Sequence, residues 1–233
     1  MRSRISGAED AKDYVPAAPQ LWMYDFLSAV LARAYHWRPL LLRQIDPRPG
    51  DRIADVGCGT GTQLALLARA CKPLTLIGID PDPPVIERAV RKLARTGVPA
   101  LFLRGYARDT ERLLGGRPVD KVLSSLVFHQ VPLEEKRAGL ASMHAALVPG
   151  GTLHVADYGL QRTPKMRRRF RIVQKGDGFE NTEPNARGVL PELMISVGFR
   201  DVQEAHVVET PTGSISIYRA LRAEPEGSRP RRG

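Results

Sequence analysis

Three closely spaced glycines and two carboxylates are the residues whose types and spacing could bind a charged ligand. The glycines lie in the segment 57–61, with the sequence GCGTG, between a short apolar run and a segment of helical spacing that begins at Thr62. Glycines between a strand and a helix allow a tight turn, and they let a ligand lie against bare backbone near the positive end of the helix. Asp55 precedes this loop, and Asp80 ends the next apolar run.

The glycine spacing excludes two common phosphate-binding loops. The dinucleotide fingerprint GxGxxG would need a glycine in place of Thr62, and a P-loop would need Gly-Lys-Ser or Gly-Lys-Thr after the turn. An acid at the position of Asp80 can accept hydrogen bonds from both hydroxyls of a ribose. A carboxylate at Asp55 suits a cationic ligand, or orients the loop through its backbone N–H groups. An adenosine that carries an amino acid and a sulfonium therefore fits both acids better than a pyrophosphate.

Strand-like and helix-like segments alternate around this loop. Apolar runs predict five buried strands, at 52–56, 74–80, 100–103, 119–127 and 152–157. Periodic segments predict helices at 62–71, 83–96 and 133–147, and a further helix at 189–197. Two last strands, at about 202–209 and 214–221, form a predicted hairpin. The pattern favours an α/β fold, with a seven-stranded mixed sheet and helices on both faces.

The chain divides into four predicted parts: a flexible arm at 1–19, a helical cap at 20–48, the main domain at 49–221 and a disordered tail at 222–233. Within the cap, Pro39 interrupts the helical pattern and predicts two helices. The main domain contains a basic insertion at 160–190, in which the stretch 176–188 is predicted to be a loop.

Composition limits the class of protein. The chain has 233 residues, is 42% hydrophobic and 26% charged, and so is predicted to be globular. No apolar run approaches the roughly 18 residues that a membrane-spanning helix needs, and no secretory signal is visible, so a cytoplasmic location is expected. Two cysteines cannot form a disulfide framework or a structural zinc site, and no metal is predicted.

The net charge of +10 is concentrated locally. Residues 162–175 contain seven basic side chains and no acid. Three interpretations stay open: a solvated face, contact with anionic lipid headgroups or an acidic substrate, and nucleic acid. Basic and aromatic residues do not alternate here as they do in surfaces that stack bases, so no nucleic acid is expected. A peripheral contact with an anionic membrane remains open.

Five segments together resemble the class I S-adenosylmethionine-dependent methyltransferases, within the branch of ubiquinone/menaquinone-type and small-molecule or phospholipid methyltransferases. They are ADVGCGTG at 54–61, ID at 79–80, VDKVLSSLVFH at 119–129, LVPGG at 147–151 and HVADY at 154–158. The resemblance implies a Rossmann-like fold and S-adenosyl-L-methionine as cofactor. It also implies a set of cofactor-binding residues: Tyr24, Asp55, Gly57, Cys58, Gly59, Gly61, Asp80, Pro81, Tyr106, Ala107, Ser125 and Leu126.

The acceptor is expected at the end of the fourth strand, which faces the methyl group in this architecture. Methyl transfer is an in-line displacement, and a general base is needed only if the acceptor must lose a proton. His129 is the candidate base or substrate contact, and a structural histidine is the alternative. Tyr24 and Tyr158 could line the pocket, although Tyr158 could equally be simple packing. Asp157 could bind an amine, but anchoring a turn is favoured.

The implied function is methyl transfer to a small organic acceptor, at a carbon, oxygen or nitrogen atom. Methyltransferases that act on amino groups of bases have an Asn/Asp-Pro-Pro-Tyr/Phe motif after this strand, and the chain has none there. One alternative is a phospholipid or lipid-like acceptor at an anionic membrane surface. Another is a protein that binds S-adenosylmethionine without methylating. The sequence does not indicate the oligomeric state.

Overall fold

The computed structural model describes residues 34–224, in which eight helices alternate with seven strands. The first half comprises α1 (Ala34–Ile45), β1 (Arg52–Val56), α2 (Thr62–Ala70), β2 (Thr75–Asp80), α3 (Pro83–Ala94), β3 (Ala100–Arg104), α4 (Thr110–Leu114) and β4 (Val119–Ser125). The second half comprises α5 (Leu133–Ala146), β5 (Leu147–Tyr158), α6 (Pro164–Asp177), α7 (Phe179–Ala186), α8 (Val189–Ser196), β6 (Phe199–Thr210) and β7 (Gly213–Arg222).

The strands form one mixed sheet in the order β3-β2-β1-β4-β5-β7-β6. The five strands from β3 to β5 are parallel, and β7 and β6 are antiparallel to their neighbours. The predicted α/β fold with a seven-stranded mixed sheet is confirmed. The strand order reverses between β1 and β4, and in open α/β sheets ligands bind outside the carboxyl ends of the strands at such a point.

Both faces of the sheet are covered, which explains the near-continuous apolar strands. One core cluster packs α1, α2 and α3 against one face, with Trp37 and Leu64 fully buried. The other cluster packs α5 and α8 against the opposite face, with Met143 and Met194 fully buried. These helices hold the carboxyl ends of β1, β2 and β4 in fixed relative positions.

Two local predictions are wrong. The helix α1 continues through Pro39 instead of breaking, because Trp37 and Leu41 on its inner face are fully buried and hold it against the sheet. The stretch 176–188 contains α7 instead of a loop, and the side chain of Asn185 donates to the carbonyl of Tyr158 at 2.9 Å. In both places tertiary contacts outweigh a local pattern that disfavours helix.

The predicted arm at 1–19 lies outside the described residues, as do the cap before residue 34 and the tail after residue 224. Arg222, the predicted first residue of the tail, instead ends β7, and its guanidinium donates to the carbonyl of Ala145 at 2.9 Å. Across residues 34–224, no helix combines the length and the apolar character required to cross a bilayer.

Candidate cofactor site and acceptor side

The glycine loop needs glycine for two different reasons. Gly57, Gly59 and Gly61 all have positive φ angles, of 71°, 53° and 73°. A Cβ atom on Gly57 would lie 2.2 Å from Cγ2 of Val127, and one on Gly61 would lie 3.0 Å from Ala89, so packing excludes a side chain at both positions. A Cβ atom on Gly59 would meet nothing within 4 Å. Its bare backbone therefore faces open space, as a ligand-binding loop requires.

The carboxylate of Asp80 holds this loop in place. Its Oδ2 accepts a hydrogen bond from the backbone N–H of Gly59 at 2.9 Å, and its Oδ1 accepts one from the N–H of Asp82 at 3.0 Å. The backbone N–H groups of Gly57 and Cys58 donate to the carbonyl of Ile79 at 2.8 and 3.0 Å. The end of β2 therefore fixes both the loop and the acid that was predicted to bind a ribose.

Asp55 is a buried carboxylate with spare hydrogen-bonding capacity. Its exposed fraction is 1%, and among the described residues its Oδ1 has no hydrogen-bond partner. Burial raises its pKa to about 7, and the negative charge of Asp80 acts in the same direction while the guanidinium of Arg38 opposes it. A cation placed beside Asp55 would supply the missing partner and favour the ionised form.

An open cleft of about 490 Å³ lies between the start of α1 and the glycine loop. Its lining includes Arg38, the loop residues 57–60 and Ser125. The guanidinium of Arg38 donates to Oε1 of Gln63 at 3.3 Å, whereas Nε2 of Gln63 finds no partner within the part of the chain that the structure describes. Sequence reasoning missed both residues: Gln63 lies just after the loop, whereas Arg38 comes from α1, which precedes β1 in the chain.

The other predicted cofactor residues are placed differently. Tyr24 lies outside the described residues. Seven other predicted residues are not among those that line the cleft: Asp55, Gly61, Asp80, Pro81, Tyr106, Ala107 and Leu126. Their assignment to the cofactor stays a prediction.

The turn after β3 is held by contacts among its own residues. Oδ2 of Asp109 accepts from the backbone N–H of Tyr106 at 3.1 Å, and its Oδ1 pairs with Arg112 at 2.9 Å. The guanidinium of Arg108 lies 4.6 Å from the centre of the Tyr106 ring. Both oxygens of Asp109 are therefore engaged in holding this turn.

Asp157 anchors the loop that follows β4. It is fully buried, and its Oδ2 accepts from the backbone N–H groups of Val127 and Phe128 at 3.0 and 2.7 Å. Its Oδ1 accepts from the backbone N–H of Tyr158 and faces Nδ1 of His129, both at 2.7 Å. With these four contacts Asp157 has the turn-anchoring role that was favoured, and its oxygens are engaged inside the protein.

His129 lies between two carboxylates. Its Nδ1 is 2.7 Å from Asp157 and its Nε2 is 3.3 Å from Asp177 at the end of α6. Burial alone would lower its pKa, but these two acids outweigh burial and raise the pKa to about 9. A protonated imidazole with both nitrogens donating has no lone pair for a substrate proton. This geometry favours the structural alternative, and a catalytic or substrate-binding role for His129 stays a prediction.

Because of this arrangement, we expect the stability to depend on pH. The pKa of His129 in the folded state lies above its ordinary value of 6.5. The protonated histidine therefore contributes fully to the free energy of unfolding below pH 6.5, and this contribution is lost as the pH rises through about 9. The difference in unfolding free energy between the wild type and His129→Gln should shrink by about 3 kcal/mol over this range. Urea unfolding at several pH values measures it, with His206→Gln, at an exposed position on β6, as the control. An unchanged difference would refute the protonated ion pair.

Lys136 also holds the loop that follows β4. Its ammonium is fully buried and donates to the carbonyl oxygens of Phe128, of Val131 at 2.7 Å and of Asn181 at 2.8 Å. Burial lowers its pKa to about 8, while the charge of Asp157 acts in the opposite direction. Lys136 thereby joins α5 and α7 to the loop at the end of β4.

Tyr158 is packed inside the domain. Its ring makes an edge-on contact with His129 and a tilted contact with Phe170, each with centroids 5.0 Å apart. Its hydroxyl lies 2.7 Å from Oγ1 of Thr212. Of the two interpretations of Tyr158, this geometry favours packing, and an acceptor contact by His129 or Tyr158 would require these contacts to open.

Comparison with known proteins agrees with this geometry. Residues 53–151 match the family described as a methyltransferase domain. The chain is 30% identical over 129 residues to a carboxy-S-adenosyl-L-methionine synthase from Trichodesmium erythraeum, covering 55% of this chain and 48% of that protein. It is 33% identical over 144 residues to a ribosomal protein L11 methyltransferase from Thermus thermophilus, covering 60% and 50%. The chain thus spans about half the length of these two relatives.

A solved structure has the same fold over nearly its whole length. It is magnesium protoporphyrin IX methyltransferase from Synechocystis with bound SAH, at a TM-score of 0.61 and 18% identity, covering 90% of this chain and 91% of that one. At this identity the likeness concerns the fold alone. Residues 53–151, which contain the glycine loop and both acids, are therefore similar to a methyltransferase domain and lie within a fold that a solved methyltransferase shares.

Proposed function

We propose that this chain transfers a methyl group from S-adenosyl-L-methionine to a small organic acceptor. The observation that carries the proposal is the cleft lined by Arg38 and the bare backbone of Gly59. Two acids accompany it: Asp80, which accepts from the N–H of Gly59, and the buried Asp55, whose Oδ1 has no partner among the described residues. These groups complement a ligand that has a ribose, an ammonium and a carboxylate. The residues present therefore fit the cofactor that the family uses.

Each group has a proposed partner. Asp80 accepts from the ribose hydroxyls, Asp55 accepts from the ammonium of the methionine part, and Arg38 pairs with its carboxylate. The backbone of Gly59 lets the ligand approach without a side chain in the way. When bound, the cofactor would supply a methyl group on a sulfonium sulfur. This sulfur leaves as a neutral thioether, which is a good leaving group. The chain's own residues then need only bind, orient and exclude water.

The acceptor lies at the end of β4, between Ser125 in the cleft and the anchored loop after it. Because His129 is held as a cation, we propose that the acceptor atom is nucleophilic without help from this histidine. The candidates are a ring carbon, a hydroxyl or an amine, and a proton that the acceptor loses would pass to solvent and not to His129. Magnesium protoporphyrin IX methyltransferase supports a small acceptor on this fold, whereas the ribosomal protein L11 methyltransferase acts on a protein.

The proposal is tested with cofactor that carries a labelled methyl group, the purified protein and an extract of the source cells. Label in an organic-soluble or small polar fraction supports the proposal, and mass spectrometry then identifies the product. Label in acid-precipitable material would mean a protein or nucleic-acid acceptor and would overturn it. Cofactor binding without transfer to any fraction would favour a protein that binds S-adenosylmethionine without methylating. The similarity to a carboxy-S-adenosyl-L-methionine synthase is the reason to test this alternative.

The binding of the cofactor should depend on pH through Asp55. Its carboxyl is protonated below about pH 7 in the free protein, so binding an ammonium there must first remove that proton. We expect the affinity to fall about tenfold for each pH unit below 7 and to be level above it. Calorimetric titration with S-adenosyl-L-homocysteine measures this dependence. Asp55→Asn should bind weakly with no such slope, and a slope that survives this substitution would contradict the assignment.

A further inference from the structure

One face of α6 concentrates cations that no acid of the described chain neutralises. Of the seven basic residues at 162–175, three are paired: Arg162 with Glu204, Arg167 with Glu183 and Arg169 with Glu209. The other four have no acid within ion-pair distance among residues 34–224, and all four are exposed: Lys165, Arg168, Arg171 and Lys175. Acids of the described chain therefore neutralise only part of the positive charge in this segment.

The four unpaired cations share one side of the helix. At 3.6 residues per turn, positions 165, 168, 171 and 175 lie within an arc of roughly 120°. The opposite side carries Met166 and Phe170, which are buried against the domain. We call the outward side, with its four cations and Ile172, the basic face. The folded domain therefore presents these positive charges together to the surroundings.

Two large apolar side chains accompany these charges. Ile172 lies inside the same arc and is 60% exposed, and Phe179, two residues beyond the end of α6, is 61% exposed. Single exposed apolar residues are normal, but apolar groups within a cationic face are typical of helices that lie at a membrane surface. Such groups enter the boundary between headgroups and acyl chains while lysine and arginine contact the phosphates.

The helix that carries the basic face also reaches the proposed acceptor side. Asp177, the last residue of α6, contacts His129 in the loop after β4. An open cleft of about 520 Å³ lies at the other end of the helix, and Arg168 and Arg171 are among its lining residues. Its size and cationic lining suit a phosphate headgroup. The inner side of α6 therefore contacts the loop after β4, and a surface bound to the basic face would lie on the opposite side of the helix from His129.

We propose that the basic face docks this protein on an anionic lipid bilayer. Charge complementarity and the exposed Ile172 and Phe179 together favour a bilayer over a nucleic acid, because a nucleic acid offers phosphates but no apolar layer for Ile172. The inference concerns where the protein binds, and it does not depend on which atom is methylated.

The test is sedimentation of the full chain with phosphatidylcholine vesicles, with and without phosphatidylglycerol, in the absence of cofactor. Binding is expected only to the anionic vesicles, and it should weaken as salt is added. A variant with Lys165→Gln, Arg168→Gln, Arg171→Gln and Lys175→Gln should bind at least about tenfold less well. Ile172→Gln should reduce binding without changing its salt dependence.

A matched control separates local from total charge. A variant with Arg69→Gln, Arg95→Gln, Arg117→Gln and Arg200→Gln removes the same number of exposed charges from other elements, and it should bind like the wild type. Equal loss in both variants, or no binding to anionic vesicles, would overturn the inference. Loss of binding to a labelled DNA duplex in the first variant, with vesicle binding intact, would also overturn it in favour of nucleic acid. Methyl transfer in solution is assayed separately, so failure here leaves the proposed activity unaffected.

Discussion

Replacing Asp80 with asparagine should weaken the binding of S-adenosyl-L-homocysteine by about 100-fold, because each hydrogen bond to a charged group contributes about 1.5–3 kcal/mol. The carboxylate has two proposed tasks: it accepts from the ribose hydroxyls, and it already accepts from the N–H of Gly59. An amide at this position offers one acceptor oxygen in place of two. Calorimetric titration at a pH above 7 measures the loss without interference from Asp55.

Asp120→Asn is the matched control for this substitution. Oδ2 of Asp120 also accepts from a backbone N–H, that of Arg52 at 2.8 Å, but it does so near the start of β4, away from the glycine loop. We expect Asp120→Asn to lower the stability modestly and to leave the affinity unchanged. Similar affinity losses in the two variants would mean that Asp80 acts only through the stability of the domain.

Asp157→Asn should have the largest effect on stability, a loss of about 3–5 kcal/mol, as is typical when a buried ion pair loses one partner. The two oxygens of Asp157 face four hydrogen-bond donors, and the NH₂ group of asparagine would confront one or two of them. The substitution would also leave the buried His129 with a single carboxylate. Urea unfolding followed by circular dichroism measures the change.

Asp177→Asn provides the comparison on the other side of the same histidine. The side chain of Asp177 is 24% exposed and lies 3.3 Å from Nε2 of His129, so its loss should cost about 1 kcal/mol or less. A loss for Asp157→Asn no greater than that for Asp177→Asn would show that the loop after β4 does not depend on the buried carboxylate. The two substitutions remove the same charge, so total charge does not explain a difference between them.

The sequence predicted the sheet and the glycine loop because both are local patterns. A strand followed by glycines and a helix is visible in consecutive residues, and Asp80 ends the next strand in the same unit. Helix boundaries were less predictable, since Pro39 and Pro184 lie inside helices that are held by packing and by hydrogen bonds from distant residues.

The acceptor side was harder to predict because its contacts join residues far apart in the chain. His129 meets Asp157 28 residues later, and Asp177 comes from a helix that the sequence did not delimit. A histidine at the end of a strand has no feature that shows whether two acids will surround it. Arg38 was missed for the same reason, because its position beside the glycine loop depends on how α1 packs against α2.

The contacts of Lys136 with the loop after β4 affect how the acceptor specificity of this domain could change. Its ammonium contacts three main-chain oxygens, at Phe128, Val131 and Asn181, and no side chain of those residues takes part in these contacts. Every amino acid provides the same carbonyl group. A substitution at the half-buried Val131, in evolution or in the laboratory, would therefore change the side chain beside this loop and leave its hydrogen bond to Lys136 in place.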